Sequence, residues 1–170
     1  MAVGSERPPW TSFEDWEQYV PPEIRNDALW KMKVYRLALF ASDIGWFDIG
    51  KLIKDHRTRD IAGQLYRSLG SECANIEEGY SKASHRDRSR FYEYALGSAR
   101  ESRGWYYRSR FILSERVIAH RIQLQTEIIR LLLSIVPRER RATALREPAP
   151  VYQINPNPAP KSLLTNIPFE

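Results

Sequence analysis

Residues 91–112 read FYEYALGSARESRGWYYRSRFI. Small or apolar side chains recur in this stretch at alternating steps of four and three residues, at Phe91, Ala95, Ser98, Ser102, Trp105, Ser109 and Ile112. Steps of this size return to the same side of an α-helix, which turns every ~3.6 residues. The stretch therefore predicts one face of a long helix that begins after Ser84 and continues to about Leu113.

The same spacing occurs in three further segments. It predicts helices from about Asn26 to Phe47, from about Thr58 to Glu78, and from about Ser114 until Pro137 ends the last one. No segment alternates between apolar and polar residues as a half-buried strand does. Because short connections join these long helices, we predict an all-α, up-and-down antiparallel four-helix bundle over residues 26–136.

Both ends of the chain differ from its centre in composition. Residues 1–25 are acidic, and aromatic side chains repeat in them at helical spacing after Ser12, a typical N-cap residue. We predict a short amphipathic N-terminal helix that docks on the bundle. Residues 137–170 contain seven of the eleven prolines, a density that blocks both helix and central strand. They are predicted to form a disordered, flexible tail.

The composition also limits the class of protein. No apolar run approaches the ~20 residues of a membrane span, and the acidic N-terminus does not resemble a secretory signal. We therefore expect no membrane contact and a cytoplasmic location. The histidines His56, His85 and His120 lie in separate segments without the spacing of metal ligands, and nucleotide-binding and nucleophile motifs are lacking. The expectation is a protein that is not an enzyme and holds no metal or cofactor.

Basic residues concentrate on the third and fourth predicted helices. The formal net charge is +5, and 20 of the 26 basic residues are arginines, whose planar guanidinium suits phosphate. Residues 86–121 hold nine arginines against four acidic residues, and tyrosines that could stack on bases lie between them. A surface that binds RNA or DNA is predicted, with a solvated helix face as the alternative. Its residues are Arg86, Arg90, Arg100 and Arg108 on one strip of the helix, and Arg103 and Arg110 on another.

Two glycines on the outer side of the third predicted helix favour an assembly of several copies. Gly97 and Gly104 are seven residues apart, and each costs about 1 kcal/mol relative to alanine inside a helix. The missing side chains would admit the backbone of a neighbouring subunit, or of a loop of the same chain. The apolar end of the fourth helix, with Ile129 and Leu132, is predicted to share this oligomer interface, because it is wider than one bundle seam covers.

Two short motifs carry a resemblance to a known family. They are the stretch from Asn75 to Gly79, NIEEG, and the stretch from Ala95 to Glu101, ALGSARE. With them the chain resembles, over about residues 28–136, the four-helix bundle proteins encoded in intervening sequences of bacterial large-subunit ribosomal RNA genes. The family pattern differs at Glu72, Cys73, Glu77 and Arg103.

The resemblance implies an up-and-down bundle that assembles as a homopentamer. It also implies kinship with the accessory variability determinant of diversity-generating retroelements, and through it nucleic acid and a reverse transcriptase as partners. It implies no catalytic residues.

Two hypotheses of function follow from these observations. The first is a homo-oligomeric nucleic-acid-binding accessory protein that uses the arginines of the third and fourth helices. The second is a structural or protein-protein adaptor, in which Trp10, Trp16 and the Pro-rich tail contact another protein and the basic face is only solvated.

Overall fold

The computed structural model describes residues 7–143, 163–165 and 167–169. This part of the chain is helical and contains no strand. Its helices are α1 (Phe13–Tyr19), α2 (Pro22–Arg25), α3 (Lys33–Leu52), α4 (Arg59–Tyr80), α5 (His85–Arg108) and α6 (Glu115–Thr143). The prediction of an all-α protein is confirmed for these residues.

The long helices begin close to the predicted positions, with one exception. Ser84 caps α5 by accepting a hydrogen bond from the Asp87 amide at 3.1 Å. The sequence predicts a first long helix from about Asn26, but α3 begins at Lys33. The difference arises because Asp27 accepts a hydrogen bond from the Leu29 amide at 2.7 Å and caps a separate 3-10 turn over Ala28–Lys31.

Each long helix packs against the next one along the chain, and α6 also packs against α3. The hydroxyl pairs between α4 and α5 run in opposite directions along the two helices, because Ser102 contacts Ser68 at 2.9 Å and Ser98 contacts Ser71 at 3.1 Å. The predicted stripes meet in one core, where Leu37, Ile44, Leu65, Ala95 and Ile128 are among the fully buried residues. The helical period therefore assigned these residues to the core. On α5 the buried face is rotated from the predicted one, because Phe91 and Trp105 are only partly buried and Tyr92 and Tyr106 are buried instead.

Gly79 lies at a close approach between α4 and α5. A Cβ atom at this position would lie 2.7 Å from the Cε1 atom of the buried Tyr92 ring. Gly79 is the second-last residue of α4, which ends at Tyr80. Gly79 is needed here for packing, because no other residue leaves room for the ring.

The N-terminal segment docks on the long helices, as the sequence predicts. The Ser12 side chain caps α1 by accepting a hydrogen bond from the Asp15 amide at 3.0 Å. Trp10, Phe13 and Trp16 are buried, and the Trp16 indole donates a hydrogen bond to Asp43 at 2.7 Å. A fully buried side chain of this kind contributes about 1.5–3 kcal/mol, so the segment is an integral part of the fold.

The last long helix continues beyond the predicted end. The sequence places the boundary at Pro137, but α6 includes this proline and runs to Thr143. Ion pairs with α5 hold the additional turn, because Glu139 contacts Arg88 at 2.9 Å and His85 at 2.6 Å, and Arg140 contacts Glu93. These partners offset the backbone hydrogen bond that the proline cannot donate.

The end of the chain also differs from the prediction of a free tail. Leu163 and Ile167 are buried in the core, and Phe169 packs against it. Residues 144–162, which form most of the predicted flexible tail, lie outside the described residues, so the prediction for them stays a prediction. The helices within the described ranges are too short or too polar to cross a membrane.

Candidate nucleic-acid interface

α5 turns one side to the core and leaves its arginines outside. Tyr92, Ala95, Ala99 and Tyr106 are buried. The arginines predicted to bind nucleic acid remain at the surface: Arg86, Arg90, Arg100, Arg108 and Arg110 are exposed, and Arg103 is half-buried. The structure therefore makes all of these guanidinium groups accessible to solvent.

Several of these arginines lie on aromatic rings of the same helix end. The Arg108 guanidinium is 4.7 Å from the centre of the Trp105 ring, and the Arg110 guanidinium is 4.2 Å from the rings of both Tyr107 and Phe111. Tyr107 and Phe111 are more than half exposed, at 56% and 79%. Cations above exposed rings form a flat, basic and aromatic surface, which suits stacking on nucleobases.

Two of the predicted arginines are unengaged. Within the described part of the chain, Arg86 and Arg100 form no hydrogen bond, ion pair or ring contact. Arg90, in contrast, contacts Asp87 at 3.9 Å, and both side chains are about half exposed. Solvent screens an exposed pair of this length, so it holds the Arg90 guanidinium only weakly.

A cleft between α5 and α6 brings together residues that the sequence places on separate strips. Its volume is about 360 Å³, and its lining residues are Arg100, Arg103, Gly104, Tyr107, Ile122 and Thr126. Arg103 donates a hydrogen bond to the Thr126 hydroxyl at 3.3 Å, which turns its guanidinium toward α6. The volume falls in the range of small-molecule sites, and two guanidiniums with a hydroxyl are suitable donors for phosphate oxygens.

Three other arginines of residues 86–121 do not belong to this surface. Arg121 is fully buried, and Arg88 donates hydrogen bonds to Glu139 and to the Lys82 carbonyl. Arg116 is exposed on α6 rather than α5. Counting charges along the sequence therefore overestimates the basic surface, because it does not distinguish paired and buried guanidiniums from exposed ones.

The two glycines predicted at an oligomer interface have different surroundings. A Cβ atom at Gly97 would meet nothing within 4 Å, and this residue is exposed. A Cβ atom at Gly104 would lie 2.9 Å from the Arg108 guanidinium. Gly97 is thus open to a neighbouring molecule, whereas Gly104 also makes room for an arginine of its own helix.

The prediction for Ile129 and Leu132 needs correction. Ile129 is only 6% exposed and Leu132 is fully buried within the chain itself. The reason is that α6 packs against both α5 and α3, so its broad apolar face is covered on two sides. These two residues do not form an exposed interface for another subunit.

A buried ionic network lies beneath this surface, and the sequence reasoning missed it. Arg121 contacts Asp48 through Nε at 2.7 Å and through Nη2 at 3.1 Å, and the two side chains are 0% and 3% exposed. Tyr106 donates a hydrogen bond to the same Asp48 carboxylate at 3.1 Å. A bidentate arginine-carboxylate pair of this kind joins α3 to α6 in the core.

The network also determines the protonation state of His120. Burial, and then the positive charge of Arg121, lower the pKa of His120 to about 4, so its imidazole is neutral at physiological pH. Its Nδ1 atom accepts a hydrogen bond from Arg121 at 2.9 Å, and its Nε2 atom donates to the Leu163 carbonyl at 2.8 Å. His120 is therefore a buried residue that stabilises the core.

The described residues include no cluster of three histidine, cysteine or acidic side chains that could hold a metal ion. Cys73 is buried, and burial raises the pKa of its thiol well above the ordinary value. A thiol in this state is a poor nucleophile. Among the described residues, the outer surface of α5 and its cleft therefore form the best candidate binding site.

Comparisons with known proteins give one match. The family model described as 23S rRNA-intervening sequence protein matches residues 31–134, which extend from the turn before α3 into α6. No curated protein and no solved structure matches the chain. The matched residues include the whole of α5 and its cleft, and they leave out the N-terminal segment and the end of the chain.

Proposed function

The chain belongs to the 23S rRNA-intervening sequence protein family, and from this premise we propose that it is a non-enzymatic, homo-oligomeric accessory protein that binds nucleic acid through α5. In this proposal α3, α4, α5 and α6 form an up-and-down four-helix bundle. Copies of the bundle assemble as a pentamer, which repeats the basic face around the assembly. The ligand is single-stranded RNA or DNA, and a reverse transcriptase is a further partner.

The cleft between α5 and α6 is the observation that carries the proposal. It combines the unengaged guanidinium of Arg100 with Arg103 and the ring of Tyr107. Phosphate groups need cationic donors, and splayed bases need flat rings on which to stack. Both requirements are met within one small area, and the exposed Arg86 and Arg90 extend the positive charge along the same helix.

The salt dependence of binding tests this role of the cleft. We expect the double variant Arg100→Ala, Arg103→Ala to bind long single-stranded RNA more weakly, and the magnitude of the slope of log affinity against log salt to fall by about 1.4. The reason is that each lost phosphate contact removes about 0.7 counterions from the release equilibrium. Filter binding at several salt concentrations measures the slope.

A charge-matched variant provides the control for this experiment. Lys31→Ala, Arg57→Ala removes two exposed cations that lie outside α5 and α6. The control should keep the wild-type slope, because it removes the same amount of positive charge from residues that do not line the cleft. Equal slopes for the cleft variant and the control would show that the cleft does not contact phosphate.

Assembly can be tested at Gly97. The proposal expects a mass near five times the chain mass of 19.9 kDa, and a lower mass for Gly97→Trp, because the indole would occupy space that a neighbour needs. Within the chain nothing fills that space, so the free energy of unfolding should not decrease. Light scattering and urea unfolding on the same samples give both quantities. The same substitution at Gly70, which is also open on α4, is the control, and a monomeric wild-type protein would contradict the assembly.

A different patch favours the adaptor as the second candidate function. Trp10 and Trp16 are buried and cannot contact a partner. Trp46 and Tyr66, however, are 63% and 54% exposed, and their rings pack edge to face at 6.2 Å across α3 and α4. Exposed aromatic pairs are typical of protein contacts, so this patch is the place where the adaptor hypothesis would apply.

A further inference from the structure

The end of the chain occupies a groove that binds both main-chain and side-chain groups of a peptide segment. The Phe13 amide donates a hydrogen bond to the Leu164 carbonyl at 3.0 Å, and the Ile167 amide donates to the Thr11 carbonyl at 3.2 Å. Residues 163–165 and 167–169 therefore lie beside residues 11–13, with main-chain hydrogen bonds in both directions. This pairing resembles the addition of a peptide strand, in which main-chain bonds give affinity and side-chain pockets give specificity.

Buried polar groups of α6 bind the same segment from the other side. The Arg121 guanidinium donates to the Pro168 carbonyl at 2.9 Å, and the His120 imidazole donates to the Leu163 carbonyl at 2.8 Å. Arg121 is fully buried and His120 is only 7% exposed. These donors are held in place by the contacts of Arg121 with Asp48, so they are oriented before the peptide arrives.

Apolar pockets receive three side chains of the segment. Leu163 and Ile167 are buried, and the Phe169 ring lies against Trp10 and Phe47, at 5.8 and 5.9 Å between ring centres. The Arg121 guanidinium also lies 5.1 Å from the Phe169 ring. The groove thus recognises a pattern of aliphatic side chains followed by proline and an aromatic residue.

An empty groove would be unfavourable. Without this segment, the amide of the buried Phe13, the Nε2 atom of the buried His120 and one donor of the buried Arg121 would lose their partners. Buried polar groups without partners are costly, and the aromatic rings of Trp10 and Phe47 would become more exposed. The groove therefore requires an occupant, but its contacts do not depend on which molecule supplies the peptide.

The chain between α6 and Leu163 is long enough for the bound segment to come from another molecule. Nineteen residues, 144–162, separate the end of α6 from Leu163, and an extended chain of this length can reach about 65 Å. That reach exceeds the ~30 Å diameter of a small domain. Exchange of an identical segment between copies conserves every contact, so it has a low thermodynamic cost.

We infer that the groove formed by residues 10–13, Phe47, His120 and Arg121 is a peptide-binding site that accepts the C-terminal segment, residues 163–169, of a second copy of the chain. The exchange ties copies to one another through residues of α3 and α6 rather than through Gly97 on α5. It does not rest on nucleic-acid binding. Residues 10–13 and the bound segment lie outside the residues that match the family model, whereas Phe47, His120 and Arg121 lie within them.

A cut between the helices and the segment tests whether the site accepts a separate peptide. A protease recognition sequence is introduced within residues 150–156 of the full chain, so that the protein folds before the cut. After cleavage, a fluorescein-labelled peptide of residues 161–170, KSLLTNIPFE, is added, and anisotropy is measured. Saturable binding is expected, and the Ile167→Asp peptide should bind about tenfold more weakly or worse, because its anchor is lost. A labelled peptide that never enters would overturn the inference.

Energy transfer between two uncut chains tests the second copy as the source. One chain carries a donor dye at Ala119→Cys, an exposed position beside His120, and the other carries an acceptor at Glu170→Cys. Cys73 is buried and stays unlabelled. Energy transfer that free peptide competes away, and that Ile167→Asp in the acceptor chain abolishes, supports the exchange. Both chains also carry Gly97→Trp, so that assembly through Gly97 does not bring the dyes together. Transfer that is absent, or that the peptide does not reduce, overturns the exchange, and neither result depends on RNA.

Discussion

We expect Asp48→Ala to lower the free energy of unfolding by about 3–5 kcal/mol. Removal of the carboxylate leaves the Arg121 guanidinium, which is fully buried, without a counter-charge and without two of its hydrogen bonds. The Tyr106 hydroxyl loses its acceptor as well. Urea unfolding followed by circular dichroism measures the loss.

A double variant distinguishes the loss of charge pairing from the loss of packing as the cause of the lower stability. In Asp48→Leu, Arg121→Met both ionic groups are replaced by apolar side chains of similar size, and buried pairs replaced in this way are often neutral or stabilising. We expect the double variant to recover most of the stability that Asp48→Ala loses. A loss below about 1 kcal/mol for Asp48→Ala, or a double variant as unstable as the single one, would contradict the buried pair.

The second large effect is expected at Glu72, whose carboxylate is fully buried. Neither of its oxygens has a hydrogen-bond partner in the described residues, although Gln125 and Ser102 lie nearby. Burial raises the pKa of Glu72 well above its ordinary value, and these two neighbours offset the rise only in part. The folded protein therefore holds a proton that the unfolded chain releases above about pH 4.3.

This linkage predicts how stability depends on pH. The stabilisation from a raised pKa is complete at a pH below the pKa of Glu72 in the unfolded chain. It is lost as the pH rises toward the pKa of Glu72 in the folded protein, by up to about 1.4 kcal/mol for each pH unit. Glu72→Gln removes the loss, so its advantage over the wild type should grow between pH 5 and pH 8. The comparison isolates the change at Glu72, because every other titratable group is present in both proteins.

Glu78→Gln is the matched control for this measurement, since Glu78 is exposed on the same helix. The control should give the same difference from the wild type at each pH. A difference between Glu72→Gln and the wild type that does not change from pH 5 to pH 8 would show that Glu72 is ionised in the folded protein.

Much of the fold could be predicted from the helical period, including the position of the ionic pair. Arg121 lies on the stripe that Val117, Leu124 and Ile128 define, and Asp48 lies four residues after the buried Ile44. A basic and an acidic residue at core positions of two stripes indicate a buried pair. Counting Arg121 among the surface charges overlooked that signal, because a charge count contains no information on direction.

The end of the chain could not be predicted in the same way. Leu163, Ile167 and Phe169 follow a proline-rich stretch and show no helical period. Their burial depends on a groove that exists only after α1, α3 and α6 have come together. Likewise, α6 continues through Pro137 because of ion pairs with α5, which are tertiary contacts. Local propensity predicts a break at such a residue, and the tertiary contacts override it.

The candidate interface was predictable in part. The position of the arginines on the outside of α5 followed from the period, but their grouping did not. Arg100 and Arg103 line one cleft because α6 supplies Ile122 and Thr126 as its opposite wall. A helical wheel of α5 alone places these two arginines on different strips, since it does not include the neighbouring helix.

Binding of the full chain to a long single-stranded RNA is the most direct test of the proposed function. Filter binding is measured between about 50 and 200 mM salt, a range over which several phosphate contacts change affinity by orders of magnitude. The proposal predicts binding at the low end, weak affinity with little sequence preference near physiological salt, and a linear fall of log affinity with log salt. Absence of binding at about 50 mM salt, or an affinity independent of salt, would contradict the proposal and favour the protein-protein adaptor.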